Sequence, residues 1–314
     1  MYIGLDIGGT TIKGILTDKT GKIYKTGKID TENTTKAIID SIIHFCETLI
    51  TSQNMKINQI DAIGIGVAGA IDPKKGKIIV SPNIHALDNC PLAQKINKKL
   101  NVPVFIENDA NVALLGEFWQ GNGKKYKNWI MLTLGTGVGG GAIINGEMMK
   151  GRDGFAAEFG HINVYPDGNL CGCGNKGCLE TYASAKALVR YSTEFLGKNK
   201  NSSAYKRSLT EGISSKLIYD EAKKGDKASI QIIRYVGQHL GIGVASLINT
   251  FNPEAIIFAG GLSRAIDLLL PVIKEEVEKR AMKGLKDKIK YHIVKHEDKG
   301  PALGAIKNAI DQLG

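Results

Sequence analysis

The sequence lacks the features that mark membrane and exported proteins. No apolar run approaches the roughly 18–20 residues that a membrane-spanning helix needs. The N-terminus, MYIGLD, has no basic stretch ahead of a long apolar core, so no signal peptide is predicted. We therefore expect a cytoplasmic protein whose cysteine thiols stay reduced.

Aromatic residues are also scarce, at 6% of the 314 residues. A nucleic-acid groove combines focused positive charge with interleaved aromatic side chains. The net charge of +10 comes mostly from lysines scattered along the chain, which indicates a lysine-rich surface instead. No nucleic-acid or membrane partner is predicted. The length is sufficient for two domains with sizeable cores.

Two familiar nucleotide-binding motifs are missing: there is no G-x-x-x-x-G-K-[ST] loop, and no G-x-G-x-x-G that opens a helix. Instead, LDIGGTTIKGIL (5–16) and LTLGTGVGGGAII (132–144) both predict a strand, a Gly/Thr turn and a second strand. Such a repeated pattern could arise by chance in a chain with 38 glycines. We interpret it as two related halves, each with a turn whose backbone N–H groups can approach an anion.

A third glycine signal, AIIFAGGLS (255–263), predicts a strand that runs through Ala-Gly-Gly into a helix. The turn would permit close approach of a nucleotide's adenosine end, although a plain strand–helix turn explains it equally well.

Strand-like segments alternate with helical ones, which predicts an α/β protein. Apolar residues at helical spacing predict a helix through 38–50, and Pro91 is suited to opening another that runs to about residue 100. A third helix is predicted over 110–119. The predicted strands are 2–7, 11–16, 23–29, 62–67, 102–106, 130–134, 141–145, 255–259 and 289–294.

Carboxylates follow a predicted strand in FIENDANVALLGE (105–117), where Glu107, Asn108 and Asp109 precede a helix. Helix capping by Asn108 or Asp109 is one explanation. The other is catalysis, because an aspartate at a strand end can accept the proton of an alcohol during phosphoryl transfer. Asp6, beside the first glycine turn, is either a turn-former or an organiser of Mg²⁺ and phosphate.

Three cysteines and a histidine, namely Cys171, Cys173, Cys178 and His161, lie within a short glycine-rich segment. A Cys₃His set predicts a closed structural zinc site, with free thiols and redox chemistry as alternatives. A disulfide suits neither a reducing compartment nor the Cys-x-Cys spacing. Cys46 and Cys90 stand apart and are interpreted as buried apolar thiols.

Two acidic residues flank this segment, Glu158 and Glu180. Each is either an ordinary surface charge or, if a metal fixes the segment, an anchored carboxylate that accepts hydrogen bonds from the hydroxyls of a polyol. We expect the metal to brace the segment and the acids beside it to bind substrate.

With these residues in hand, the chain resembles the ROK family of bacterial sugar kinases and repressors from residue 3 to about 310. The stretches that carry the resemblance are DIGGTT (6–11), GVAGAID (66–72), SPN (81–83), ENDAN (107–111), LGTGVGGG (134–141), GRDGFAAEFGH (151–161), CGCGNKGCLETYAS (171–184), FAGG (258–261) and PALGA (301–305).

The resemblance implies an actin/hexokinase-like (ribonuclease H-like) α/β fold of two domains with a cleft between them. The predicted domains are 1–115 with 300–314, and 116–299, which includes the zinc-binding loop at 158–180. A homodimer or homotetramer is also implied. The implied cofactors are ATP, Mg²⁺ and structural Zn²⁺.

The resemblance also assigns roles to residues. Asp109 corresponds to the general base, and His161 would use one ring nitrogen for zinc and the other for a sugar hydroxyl. The implied sugar-binding residues are Gly69, Asn83, Asn108, Asp109, Glu158, His161 and Glu180. The implied ATP and Mg²⁺ residues are Asp6, Gly8, Gly9, Thr10, Thr11, Gly135, Thr136, Gly137, Gly260 and Gly261.

The activity implied is transfer of the γ-phosphoryl group of ATP to the 6-hydroxyl of glucose, with N-acetylmannosamine as the alternative acceptor. A sugar-sensing repressor is disfavoured because such members carry a helix-turn-helix ahead of the first hairpin, and here that hairpin's aspartate is already Asp6. The chain departs from the family pattern at Ala68, where many relatives have proline. It also departs at Leu87, where glucokinase-like members often have tryptophan in a segment edging the sugar pocket.

Overall fold

Strands and helices alternate along the chain in the computed structural model, which describes residues 1–152, 154 and 156–314. The strands are β1 Tyr2–Ile7, β2 Thr11–Thr17, β3 Ile23–Asp30, β4 Ala62–Val67, β5 Ala70–Asp72, β6 Lys77–Val80, β7 Val104–Asn108, β8 Trp129–Leu134, β9 Val138–Ile144, β10 Glu147–Met148, β11 Ala255–Ala259 and β12 Lys290–Ile293. The helices are α1 Thr35–Thr51, α2 Leu92–Leu100, α3 Asp109–Gln120, α4 Glu180–Ala183, α5 Ala185–Gly197, α6 Ser203–Glu211, α7 Ser215–Lys223, α8 Lys227–Phe251, α9 Ile266–Arg280 and α10 Gly300–Leu313.

The described chain divides into two compact units. The first unit contains Met1–Lys125 and Val294–Gly314, and the second contains Tyr126–Ile293. The N-terminal and C-terminal ends of the chain therefore belong to the same unit.

The first unit is built on a five-stranded sheet in the order β3-β2-β1-β4-β7. The first three strands are antiparallel neighbours, whereas β1, β4 and β7 run parallel. Every residue of β4 is buried, as expected for a central strand covered on both faces. Isoleucines and leucines of β1 and β4 pack with those of α1 and α2, while Ile15 of β2 packs with α10.

The second unit repeats this arrangement, with the strand order β10-β9-β8-β11-β12. Here too the first three strands are antiparallel neighbours and the last three run parallel. The two related halves predicted from the repeated glycine pattern are therefore confirmed at the level of sheet topology. The core of this unit is one apolar cluster to which α8, β8 and β11 all contribute buried residues.

The predicted strands and the three predicted helices are confirmed, with ends that differ by up to three residues. Two of these differences have a clear physical reason. β9 begins at Val138, not at residue 141, because the glycines at 139–141 pair with β8 and do not form a turn. β7 begins at Val104, one residue after Pro103, which has no N–H to donate to the sheet. The β5–β6 hairpin was not predicted. No described helix is long and apolar enough to span a membrane.

Candidate active site and metal cluster

The first glycine turn joins β1 and β2 in the first unit. The Gly8 N–H donates to the Thr11 carbonyl at 3.0 Å, and the Thr31 hydroxyl donates to the Gly8 carbonyl at 2.7 Å. Gly9 and Thr10 are exposed at the tip. A Cβ atom built on Gly9 would lie 3.0 Å from the backbone oxygen of Asn83. The structure thus brings a predicted phosphate turn and a predicted sugar ligand side by side.

The junction of β7 and α3 holds the predicted base. Asn108, the last residue of β7, caps α3, because its side-chain oxygen accepts from the N–H groups of Ala110 at 2.9 Å and Asn111 at 3.4 Å. Its side-chain amide donates to the Gly69 carbonyl at 3.0 Å. Asp109 begins the helix and accepts from the Ala110 N–H at 2.9 Å. The capping interpretation is therefore confirmed for Asn108, and the catalytic role of Asp109 stays a prediction.

Glu107 differs from its two neighbours in position. It belongs to β7, is only 6% exposed, and accepts from the Asn108 N–H at 2.9 Å and the Asn111 side chain at 3.1 Å. Its carboxylate therefore holds the junction in shape, while Asp109 remains partly accessible.

Asp6 and Asp109 form a pair of like charges within the first unit. Burial, opposed by the charge of Lys13 and assisted by the charge of Asp109, raises the pKa of Asp6 to about 6. Burial also raises the pKa of Asp109, although hydrogen bonds from the surrounding backbone and from Asn108 lower it. A carboxylate that holds a proton more tightly than usual is a stronger base, which suits proton abstraction from an alcohol.

This pair makes stability depend on pH. The folded pKa of Asp6 lies above that of an unfolded aspartate, so its contribution to stability is present at low pH and is lost as pH rises from about 4 to about 6. We expect Asp6→Asn to increase the free energy of unfolding at pH 8 by up to about 3 kcal/mol, and by much less at pH 4. Denaturant unfolding at the two pH values tests this. The exposed Glu32→Gln is the control, and a pH-independent effect of Asp6→Asn would contradict the account.

The second glycine turn, at 135–137, joins β8 and β9 in the second unit. The Gly135 N–H donates to the Gly137 carbonyl at 3.0 Å, and the Gly135 carbonyl accepts from the Ala185 N–H at 2.8 Å. The carboxylate of Glu180 accepts from the Val138 N–H at 3.0 Å. Gly260, with φ of +82°, packs against the backbone of Leu134, so the third glycine signal lies beside the second turn.

A cavity of about 570 Å³ opens next to this turn. Gly135, Thr136 and Gly261 line one part of it, and the remaining walls come from the start of α5, from α7 and from the turn that precedes α9. The volume is within the range of roughly 300–1,000 Å³ that small-molecule sites occupy. Ser215, Lys216, Tyr219 and Asp220 of α7 were not identified from the sequence, and no local motif marks them.

The four predicted metal ligands converge. The ligand atoms of His161, Cys171, Cys173 and Cys178 all lie within 4.8 Å of one another. His161 Nδ1 is 3.6 Å from Cys171 Sγ, and Cys173 Sγ is 3.6 Å from Cys178 Sγ. A tetrahedron with Zn–S of about 2.3 Å and Zn–N of about 2.0–2.1 Å has edges of about 3.5–3.8 Å. Both 3.6 Å distances match such a tetrahedron, and the other ligand pairs lie within 4.8 Å, so the four residues suit a zinc ion.

The remaining predicted residues lie in varied surroundings. Glu158 is exposed and directly precedes the short turn Phe159–His161 that carries the histidine. Cys46 and Cys90 are buried in the core of the first unit, as predicted. Leu87 is also fully buried there, and its side chain packs into the core.

The sequence profile of the ROK family matches residues 2–312. The chain belongs to the ROK family. Among its relatives, a glucokinase from Streptomyces coelicolor is 39% identical over 283 residues, covering 89% of this chain and 87% of that protein. The xylose repressor of Bacillus subtilis is 35% identical over 316 residues, covering 99% and 77%.

A solved ROK glucokinase from Streptomyces griseus, in complex with glucose and AMPPNP, superposes with a TM-score of 0.78 at 36% identity and covers 99% of both chains. The predicted actin/hexokinase-like fold is therefore confirmed for this ROK protein. Because the ROK relatives include a repressor as well as kinases, the family alone does not decide between catalysis and regulation.

Proposed function

We propose that this protein is an ATP-dependent hexose kinase that phosphorylates the 6-hydroxyl of glucose, with Asp109 as the general base. The observation that carries the proposal is the placement of Asp109, a partly buried carboxylate with a raised pKa at the N-terminus of α3. The similarity to a glucokinase solved with glucose and a nucleotide analogue supports the same reaction.

In the proposed reaction, Asp109 accepts the proton of the 6-hydroxyl as that oxygen forms a bond to the γ-phosphorus of ATP. The bond between that phosphorus and the bridging oxygen breaks, and ADP leaves with the electron pair. Asp109 must be ionised to accept the proton. Activity should therefore fall as pH drops through its raised pKa.

The sugar would be held by Gly69, Asn83, Asn108, Glu158, His161 and Glu180. Asn108 has a specific capacity for this role. Its oxygen caps α3 and one amide hydrogen is donated to Gly69, which leaves the second amide hydrogen for a hydroxyl. The His161 Nδ1 atom faces Cys171 Sγ, so Nε2 is the atom that would reach a sugar hydroxyl.

The nucleotide would occupy the 570 Å³ cavity of the second unit, with its phosphates at the second glycine turn. Tyr219 offers an aromatic face and Asp220 a carboxylate that can accept from ribose hydroxyls. Asp220 is held by Lys216 at 2.6 Å and by Arg207 at 3.6 Å, so its position is fixed. The first glycine turn and Asp6 would serve the terminal phosphates and Mg²⁺, which neutralises charge on the transferred group.

The cluster of His161, Cys171, Cys173 and Cys178 would hold a structural zinc ion. Four protein ligands complete a tetrahedron, so the metal would brace the segment and contribute no reacting water. Between Cys171 and Cys178 the only residues besides Cys173 are glycines, Asn175 and Lys176, and a metal is a common means of ordering such a loop.

A second candidate acceptor is N-acetylmannosamine, because the stretches that resemble glucokinases also resemble N-acetylmannosamine kinases. A coupled assay of ADP release over a panel of hexoses separates the two. We expect glucose to give a kcat/KM at least about tenfold above that of N-acetylmannosamine, which corresponds to about 1.4 kcal/mol. The reverse ratio would assign the second activity, and no ADP release with any sugar would favour a regulator.

A further inference from the structure

Glu180 contacts two features of the second unit that the proposed function treats separately. One carboxylate oxygen, Oε2, accepts from the Val138 N–H at 3.0 Å, at the point where the second glycine turn enters β9. The other, Oε1, lies 4.0 Å from Cys171 Sγ in the metal cluster. A single side chain therefore reaches from the cluster to the turn.

The turn is shaped to receive this carboxylate. A Cβ atom built on Gly137 would lie 2.1 Å from Glu180 Oε2, so any side chain at position 137 would displace it. The carboxylate occupies the space that a residue other than glycine would fill. The contact with Glu180 is thus a second reason for glycine at position 137, besides the close approach of an anion that the sequence predicts.

The segment that carries Glu180 holds the turn at both ends. The Ala185 N–H donates to the Gly135 carbonyl at 2.8 Å, while Glu180 accepts from Val138. This segment starts directly after Cys178, whose carbonyl accepts from the Thr181 hydroxyl at 2.8 Å. A shift of the metal ligand Cys178 would therefore move the residues that hold both ends of the turn.

We propose that Glu180 is a positioning residue that couples the metal cluster to the nucleotide turn. Metal binding would then control affinity for the nucleotide as well as for the sugar. The inference rests on the proposed function in one respect, that the turn at 135–137 binds the nucleotide. The role is additional to any contact that Glu180 makes with the sugar.

Direct binding of a non-hydrolysable ATP analogue, measured by calorimetry without sugar, tests the coupling. We expect Glu180→Ala to weaken binding about tenfold, since it removes one hydrogen bond to a charged acceptor. Glu180→Gln should stay within about threefold of the unaltered protein, because its amide oxygen can still accept from Val138. Unaltered protein stripped of metal by a chelator should resemble Glu180→Ala.

Asp167→Ala is the matched control, because it removes an exposed carboxylate of the loop at 158–180 that has no role in the proposed function. Its affinity for the analogue should be unchanged. Equal effects of the alanine substitutions at 167 and 180 would overturn the proposal. Tighter binding by both Glu180 variants would also overturn it, since Glu180 would then only repel the phosphates.

Hydrogen exchange gives a readout that needs neither ligand nor turnover. Amides of 134–140 should exchange faster after metal removal and in Glu180→Ala, whereas those of β11 in the same unit should not change. Equal exchange in loaded and stripped protein would overturn the coupling, and so would a rise that includes β11. If glucose is phosphorylated but exchange of the turn amides does not change on metal removal, only the coupling fails. If the turn responds but no sugar is phosphorylated, only the kinase proposal fails.

Discussion

Asp109→Asn is expected to lower kcat for glucose phosphorylation by about 10²–10⁴-fold, the range typical for loss of a general base. Asparagine has nearly the same shape and can still accept the 2.9 Å hydrogen bond from Ala110, but it cannot take the proton of the sugar hydroxyl. The affinity for glucose should stay within a few-fold, because the other sugar contacts remain. Steady-state kinetics and calorimetric titration with glucose measure the two quantities.

Folding provides the control for this variant. Burial raises the pKa of Asp109, so replacing its charge with a neutral amide should leave the melting temperature equal or higher at pH 8. An inactive variant with a normal melting curve would therefore have lost chemistry and not structure. The exposed Asp40→Asn serves as the matched substitution and should behave as the unaltered protein does. A kcat within threefold of normal for Asp109→Asn would rule out the base assignment.

Cys173→Ser is expected to lower the zinc content of the purified protein well below one per chain and to weaken glucose binding at least about tenfold. Changes around a metal's ligands already cost about 10–100-fold in metal affinity, and loss of a ligand should cost at least as much. Sugar affinity should follow, because His161 and Glu180 would no longer be held. Metal analysis and calorimetry on the same preparation check both.

The choice of Cys173 makes this test specific. Its side chain is exposed, so exchanging sulfur for oxygen should cost little packing energy if no metal is bound. Cys90→Ala provides the contrast: that thiol is buried in the core of the first unit, and its loss should destabilise the protein without changing zinc content. Unaltered zinc content in Cys173→Ser would contradict the metal site.

Local sequence predicted much of the fold because both five-stranded sheets contain short apolar runs rich in isoleucine. Ala62–Val67 and Ala255–Ala259 have the predicted limits, and both are completely buried. The β5–β6 hairpin could not be predicted in this way, since Ala70–Asp72 is too short to show a period of two. Its placement depends on pairing with Lys77–Val80.

The candidate site, like the fold, was predictable from the sequence only where the residues are close together in the chain. The spacing of His161 and the three cysteines was sufficient to predict that they converge, because ligands close in sequence can reach the same metal ion. By contrast, the cavity is assembled from segments far apart in the chain, so no local pattern indicates that α7 forms one of its walls. The contact of Glu180 with Val138 spans 42 residues and emerges only from the packing of α4 on the second hairpin.

Product analysis by phosphorus and proton NMR tests the central claim most directly. Purified protein incubated with glucose, ATP and Mg²⁺ should form one phosphate ester per ADP, with coupling from phosphorus to the protons on carbon 6. A phosphate on another carbon would contradict the geometry proposed for Asp109. Unchanged ATP and glucose under the same conditions would contradict the kinase assignment itself.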